Sequence, residues 1–131
     1  MIIGPGDSTS SQRRGDTFTG EVWATPVLAE AGSVMVASIF FTPGARTFWH
    51  SHDNGQVLQV VSGSGLICRE GGRPRPLRPG DTVWAPPGEV HWHGASPAAA
   101  MSHQAVSLGT TRWAGPVTDA DYTAGSGAGA S

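Results

Sequence analysis

"FTPGARTFWHSHDNGQ", residues 41–56, sets His50 and His52 two positions apart and Gln56 four further on, just after a Pro-Gly turn. Residues two apart on a β-strand share a face, so both imidazoles can aim at one point. The arrangement returns as "HWH" at 91–93, again beside a Pro-Gly turn, "APPGEV" at 85–90. Four of the five histidines therefore fall into two pairs, and the fifth is His103. An imidazole pair on one strand face is a natural chelate for a first-row transition metal. One His-x-His is a weak signal, but two, each between a turn and an apolar strand, make coordination the leading reading.

Outward from these pairs the chain reads as short strands. Residues 17–23, 33–42, 57–62, 65–70, 81–86 and 101–108 carry apolar or alternating runs. Between them lie "TPGA", "SGSG", "EGGRPRP", "RPGD" and "APPGE", all good turn chemistry, with Gly71-Gly72 a hairpin apex. Nineteen Gly and ten Pro spread along the chain argue against long helices. The exception is "VTDADY", 117–122, where Thr118 can cap one or two turns. Many short strands at this spacing predict an all-β sandwich or barrel. Residues 1–16 read as a flexible N-terminal arm, 17–122 as the folded domain and 123–131, "TAGSGAGAS", as a disordered tail.

A chain of 131 residues builds one domain. Its net charge of −2 gives no electrostatic case for nucleic acid. All eight basic residues are Arg, and the absence of Lys excludes a Schiff-base lysine and a phosphate-loop lysine. Cys68 is the only cysteine, so no intrachain disulfide forms, which suits a reducing compartment. The first residues lack an apolar segment of about 7–15 residues behind a basic start. No run approaches the ~20 apolar residues of a membrane span. A cytoplasmic protein with no membrane partner is expected. Arg46 and the "RPRPLR" run at 73–78 read as solvated, and Trp49, Trp84 and Trp92 as filling the barrel or its rim.

Gly44, five residues, His50-x-His52, three residues, Gln56, six residues and Gly63 resemble the first cupin motif, with Gln where Glu is usual. Gly80, five residues, Pro86-x-Gly88, two residues and His91 resemble the second, with Ala95 in place of the usual Asn, sixteen residues after the first. The resemblance covers about 41–108, more loosely 17–122, and implies a cupin: a double-stranded β-helix, or jelly-roll barrel, holding a metal on three histidines and a fourth ligand. By position the ligands are His50, His52, Gln56 and His91. The pattern "PGART-WH-H--GQ", "REGG", "PGD-VW--PGE-HWHGA-P--AM-H-A" is similar to the manganese-dependent hydroxynitrile lyases among the cupins, and to carboxymuconolactone-decarboxylase-like cupins. In those lyases the fourth ligand is likewise Gln. The resemblance implies Mn(II), with Fe(II) as second choice, a small-molecule substrate and a homodimer or higher homo-oligomer, expected to pair through sheet edges.

Three neutral imidazoles and a neutral carboxamide leave a divalent ion its full charge, which favours Lewis acidity toward a bound hydroxyl. His93 shares a face with His91, and His103 shares one with Ala105 and Ser107. In the resembled lyases histidines at both positions line the pocket, so His93 and His103 are the candidate acid–base residues. The expected function is C–C cleavage or formation at a hydroxy or carbonyl carbon. The alternatives are a metal- and O2-dependent dioxygenase and a non-catalytic small-ligand-binding cupin.

Overall fold

In a computed structural model the described residues are 1–4 and 10–129, with side chains undescribed at 29–31 and 126–129. The chain folds into two antiparallel sheets that face each other. The first runs β1 (Gln12–Arg14), β3 (Val22–Ala31), β4 (Val34–Phe41), β12 (Met101–Leu108), β7 (Gln56–Gly63), β10 (Thr82–Ala85). The second runs β13 (Thr111–Trp113), β6 (His50–His52), β11 (His91–Ala95), β5 (Arg46–Thr47), β2 (Phe18–Thr19). Beside it β8 (Gly65–Arg69) pairs with β11 and with β9 (Arg75–Leu77). Val22, Phe41, Val60, Leu77, Ala95 and Met101 fill the space between the sheets and are almost wholly buried. Period-two alternation supplies them: on β12, Met101, His103 and Ala105 are buried while their neighbours are not.

Two glycines are needed for this closure. Gly71 adopts φ 79°, a left-handed turn that lets β8 and β9 meet, with the Gly72 N–H donating to Arg69 O at 2.9 Å. A Cβ on Gly94 would run into the Ala45 carbonyl and Arg46 Cα, so glycine there lets β5 cross close under β11.

The expected strands are all present, although 17–23 divides into β2 and the start of β3 at Gly20, where φ is 82°. The arm expected at 1–16 contributes β1, paired to β3 at Arg13↔Trp23. Residues 5–9 of that arm and 130–131 of the expected tail lie outside the described residues. Helix α1 (Asp119–Gly129) is longer than the one or two turns expected, and it runs through most of the segment read as tail. Its start follows the expectation: Asp121 N–H donates to Thr118 Oγ1 at 3.1 Å, and Asp119 and Asp121 sit in the positive first turn. Among the described residues no helix is long and apolar enough to cross a membrane.

α1 is held behind the second sheet by a buried arginine. Arg46 is no solvated loop residue: its guanidinium donates to Val117 O at 2.8 Å and Asp119 Oδ1 at 2.9 Å, and lies 4.5 Å from the Tyr122 ring centroid. Tyr122 Oη donates to Ala95 O at 2.6 Å, beside buried Trp92, Cys68 and Val117. Trp92 thus packs behind the second sheet, outside the barrel, while Trp84 stands exposed on β10. Tyr122→Phe leaves the Ala95 carbonyl without this donor, and should destabilise the protein by about 1–2 kcal/mol. An unchanged melting temperature would contradict that docking.

Candidate metal centre

β6 and β11 run antiparallel with His91 opposite His50, so the two His-x-His pairs meet on the inner face of the second sheet. His50, His52, His91 and His93 are all buried. Ring centroids lie 4.5 Å apart for His50–His91, 5.0 Å for His50–His52 and 5.7 Å for His52–His91. The first sheet faces them with Gln56 on β7 and His103 on β12. A one-residue bulge puts His103 opposite Val60 and Ser102 opposite Ser62, leaving Val61 over, and keeps His103 turned inward.

The hydrogen bonds behind the rings fix what the rings present. His50 Nδ1–H donates to Phe48 O at 2.8 Å, and His91 Nδ1–H to Glu89 O at 2.9 Å. A carbonyl oxygen only accepts, so in each neutral ring Nε2 carries the lone pair. His52 Nδ1 is engaged by Thr111 Oγ1 at 3.1 Å, and its buried Nε2 has no hydrogen-bond partner. Gln56 Nε2 donates to Ser107 Oγ at 3.0 Å, which turns Oε1 toward His91 Nε2 at 3.1 Å. With the carboxamide so oriented, two acceptors face each other in a buried site. A cation between them resolves that confrontation, and a hard oxygen with imidazole nitrogens is a donor set for a divalent transition metal. The site fits a metal.

His50, His91 and His93 bring ligand nitrogens within 4.8 Å of one another. His52, expected in the first rank, stands beside this cluster, and His93, expected as an acid–base group, stands within it. His93 Nδ1 is also 2.9 Å from His103 Nε2, with His93 Nε2 and His103 Nδ1 both buried without partners. Phe41 closes over this pair, its ring 5.9 Å from His93 and 5.2 Å from His103. Ser107 is legible as the same-face neighbour of His103, whereas Thr111 and the Trp113 ring, 4.7 Å from His50, carry no sequence signal.

Burial holds every one of these imidazoles neutral. Desolvation, then the nearby His91, pushes His50 down to about 3. Desolvation takes His52 and His103 to about 4 and lowers His91. In His93 desolvation and then His103 act together, holding it well below the usual 6.5. Unfolded, these rings bind protons below pH 6.5 that the folded chain refuses. Their stabilisation is therefore present above 6.5 and lost as pH falls through the folded values. For His50 and His103 the loss is about 2 kcal/mol each between pH 6.5 and 5. The metal-free protein should melt at a clearly lower temperature at pH 5 than at pH 7; a flat profile over that range would contradict the buried neutral cluster.

Beside the cluster lies a chamber of about 190 Å³. His50, His52, Gln56, His93 and His103 form its polar end, and Ala24, Pro26, Ala37, Ile39 and Ala105 its apolar wall. It is smaller than the few hundred Å³ that take drug-sized ligands, and so suits a small, largely apolar molecule with one polar end.

Residues 38–102 match the cupin domain family. The (R)-mandelonitrile lyase of Granulicella tundricola is 43% identical over 123 residues, spanning 89% of this chain and 94% of that protein. A solved cupin-like protein from Thermotoga maritima is 36% identical, with TM-score 0.82 over 95% of each chain. A polyketide cyclase from Streptomyces resistomycificus is 17% identical, with TM-score 0.72 over 94% of this chain and 91% of its own, and shares the fold. With opposed antiparallel sheets, histidine pairs on facing strands and these relatives, the chain belongs to the cupin family.

Proposed function

We propose that the protein is a metal-dependent lyase that cleaves, and in reverse forms, the C–C bond of a small cyanohydrin. The observation that carries this reading is the neutral Gln56, whose Oε1 faces His91 Nε2 where a glutamate would bring a charge. His50, His52, His91 and Gln56 would hold the ion, Mn(II) by preference or Fe(II). His93 is assigned to proton transfer instead, because its partner is another imidazole, His103, with which it can share a proton. A divalent ion there supplies Lewis acidity that favours loss of the hydroxyl proton.

The chain supplies the rest. The apolar wall takes the carbon substituent, and burial excludes water. His93 Nε2 accepts the hydroxyl proton while its Nδ1–H moves toward His103 Nε2, so the pair shares the charge that burial makes costly on one ring. The O–H electron pair becomes the carbonyl π bond, the C–C pair leaves with cyanide, and a proton returned from the dyad gives HCN. The relative named (R)-mandelonitrile lyase supports this reaction class.

Mn-loaded protein should release benzaldehyde and HCN from mandelonitrile with no oxygen uptake. Oxygen consumption without HCN would make the protein an oxygenase. Gln56→Glu adds a negative charge to the donor set and should lower lyase activity about tenfold or more. Unchanged activity would overturn the Lewis-acidity argument.

A further inference from the structure

The chamber beside the histidine cluster has Arg14 in its lining, and no Asp, Glu or Lys. Arg14 stands on β1 opposite Val22, and residues directly opposite on paired strands point to the same side of the sheet. Val22 is fully buried between the sheets, so Arg14 is turned toward the chamber, whereas Arg13, opposite Trp23, is turned outward. Among the described residues Arg14 makes no ion pair and no side-chain hydrogen bond. Its backbone is held by the pairing of β1 to β3, and its side chain remains exposed. Just after it the Phe18 N–H donates to Gly15 O at 3.4 Å, and this turn brings Phe18 into the same lining. The Phe18 ring lies 5.8 Å from that of Trp113, which lies 4.7 Å from His50. The lining therefore offers imidazoles and the Gln56 carboxamide, then aromatic and aliphatic surface, and an unpaired guanidinium on the edge strand.

We propose that Arg14 binds a carboxylate on the substrate, remote from the reacting carbon, so that the preferred substrate is an aromatic hydroxynitrile with a carboxylate on its ring. The inference rests on the lyase reading and narrows its substrate class. A guanidinium presents paired N–H donors that match the two oxygens of a carboxylate. No carboxylate of the lining competes for it. The apolar wall beside it screens the attraction less than open water does. A neutral substrate such as mandelonitrile fills the same chamber and leaves Arg14 unused.

The test compares mandelonitrile with para-carboxymandelonitrile on Mn-loaded protein. The carboxylate should gain about fivefold to tenfold in kcat/KM, chiefly through KM, and lose that advantage as salt is added. Arg14→Gln should abolish the advantage, Arg14→Lys should keep part of it, and Arg13→Gln should leave it intact. Calorimetric binding of para-(hydroxymethyl)benzoate against benzyl alcohol should show the same contrast with no nitrile to cleave. If neither nitrile is cleaved, the lyase reading fails, and the calorimetric contrast decides the role of Arg14 by itself. Equal binding of the two alcohols, or a contrast that survives Arg14→Gln, would overturn the inference. Arg14 would then serve only to guard the open sheet edge, as inward-pointing charges on edge strands do.

Discussion

His91→Ala should cost the protein its bound metal and more than about a hundredfold in lyase activity, since even residues that only orient ligands cost 10–100-fold when replaced. His91 meets Gln56 Oε1 at one nitrogen and Glu89 O at the other, so no other side chain takes over its place. The variant should fold, because removing a buried imidazole held neutral also removes a group that must be desolvated. Elemental mass spectrometry beside a mandelonitrile assay checks it. Retained metal and activity would remove His91 from the centre.

His103→Ala should give the opposite separation: metal retained, activity down by about a hundredfold to ten-thousandfold, the span over which general acid–base groups act. His103 reaches the cluster only through His93, by the 2.9 Å contact between Nε2 and Nδ1. The loss should fall on kcat more than on KM. His93→Ala should likewise keep most of the metal if His50, His52, His91 and Gln56 hold it. Metal lost from His93→Ala and kept in His52→Ala would instead make His50, His91 and His93 the ligand set, whose ligand nitrogens lie within 4.8 Å of one another.

The barrel and the two histidine pairs were legible because both follow local rules. Turn residues divided the strands, and a two-residue spacing put His50 with His52 and His91 with His93 on shared faces. What joins the pairs is not local. The register His91↔His50, the meeting of His93 with His103, and the orienting bonds from Thr111 and Ser107 depend on which strands become neighbours. Arg46 shows the same limit: nothing near it in sequence announces Val117 and Asp119, more than seventy residues on, as its partners. The small-residue run after Tyr122 offers no apolar face to signal a helix, so α1 is legible only at its Thr118 cap.

The most direct measurement is metal content per chain, on protein expressed with and without added manganese. The acceptor-lined cluster predicts close to one Mn or Fe per chain, replenished by manganese where it is short. Little metal under both conditions would contradict the account and make the histidines the lining of a ligand pocket.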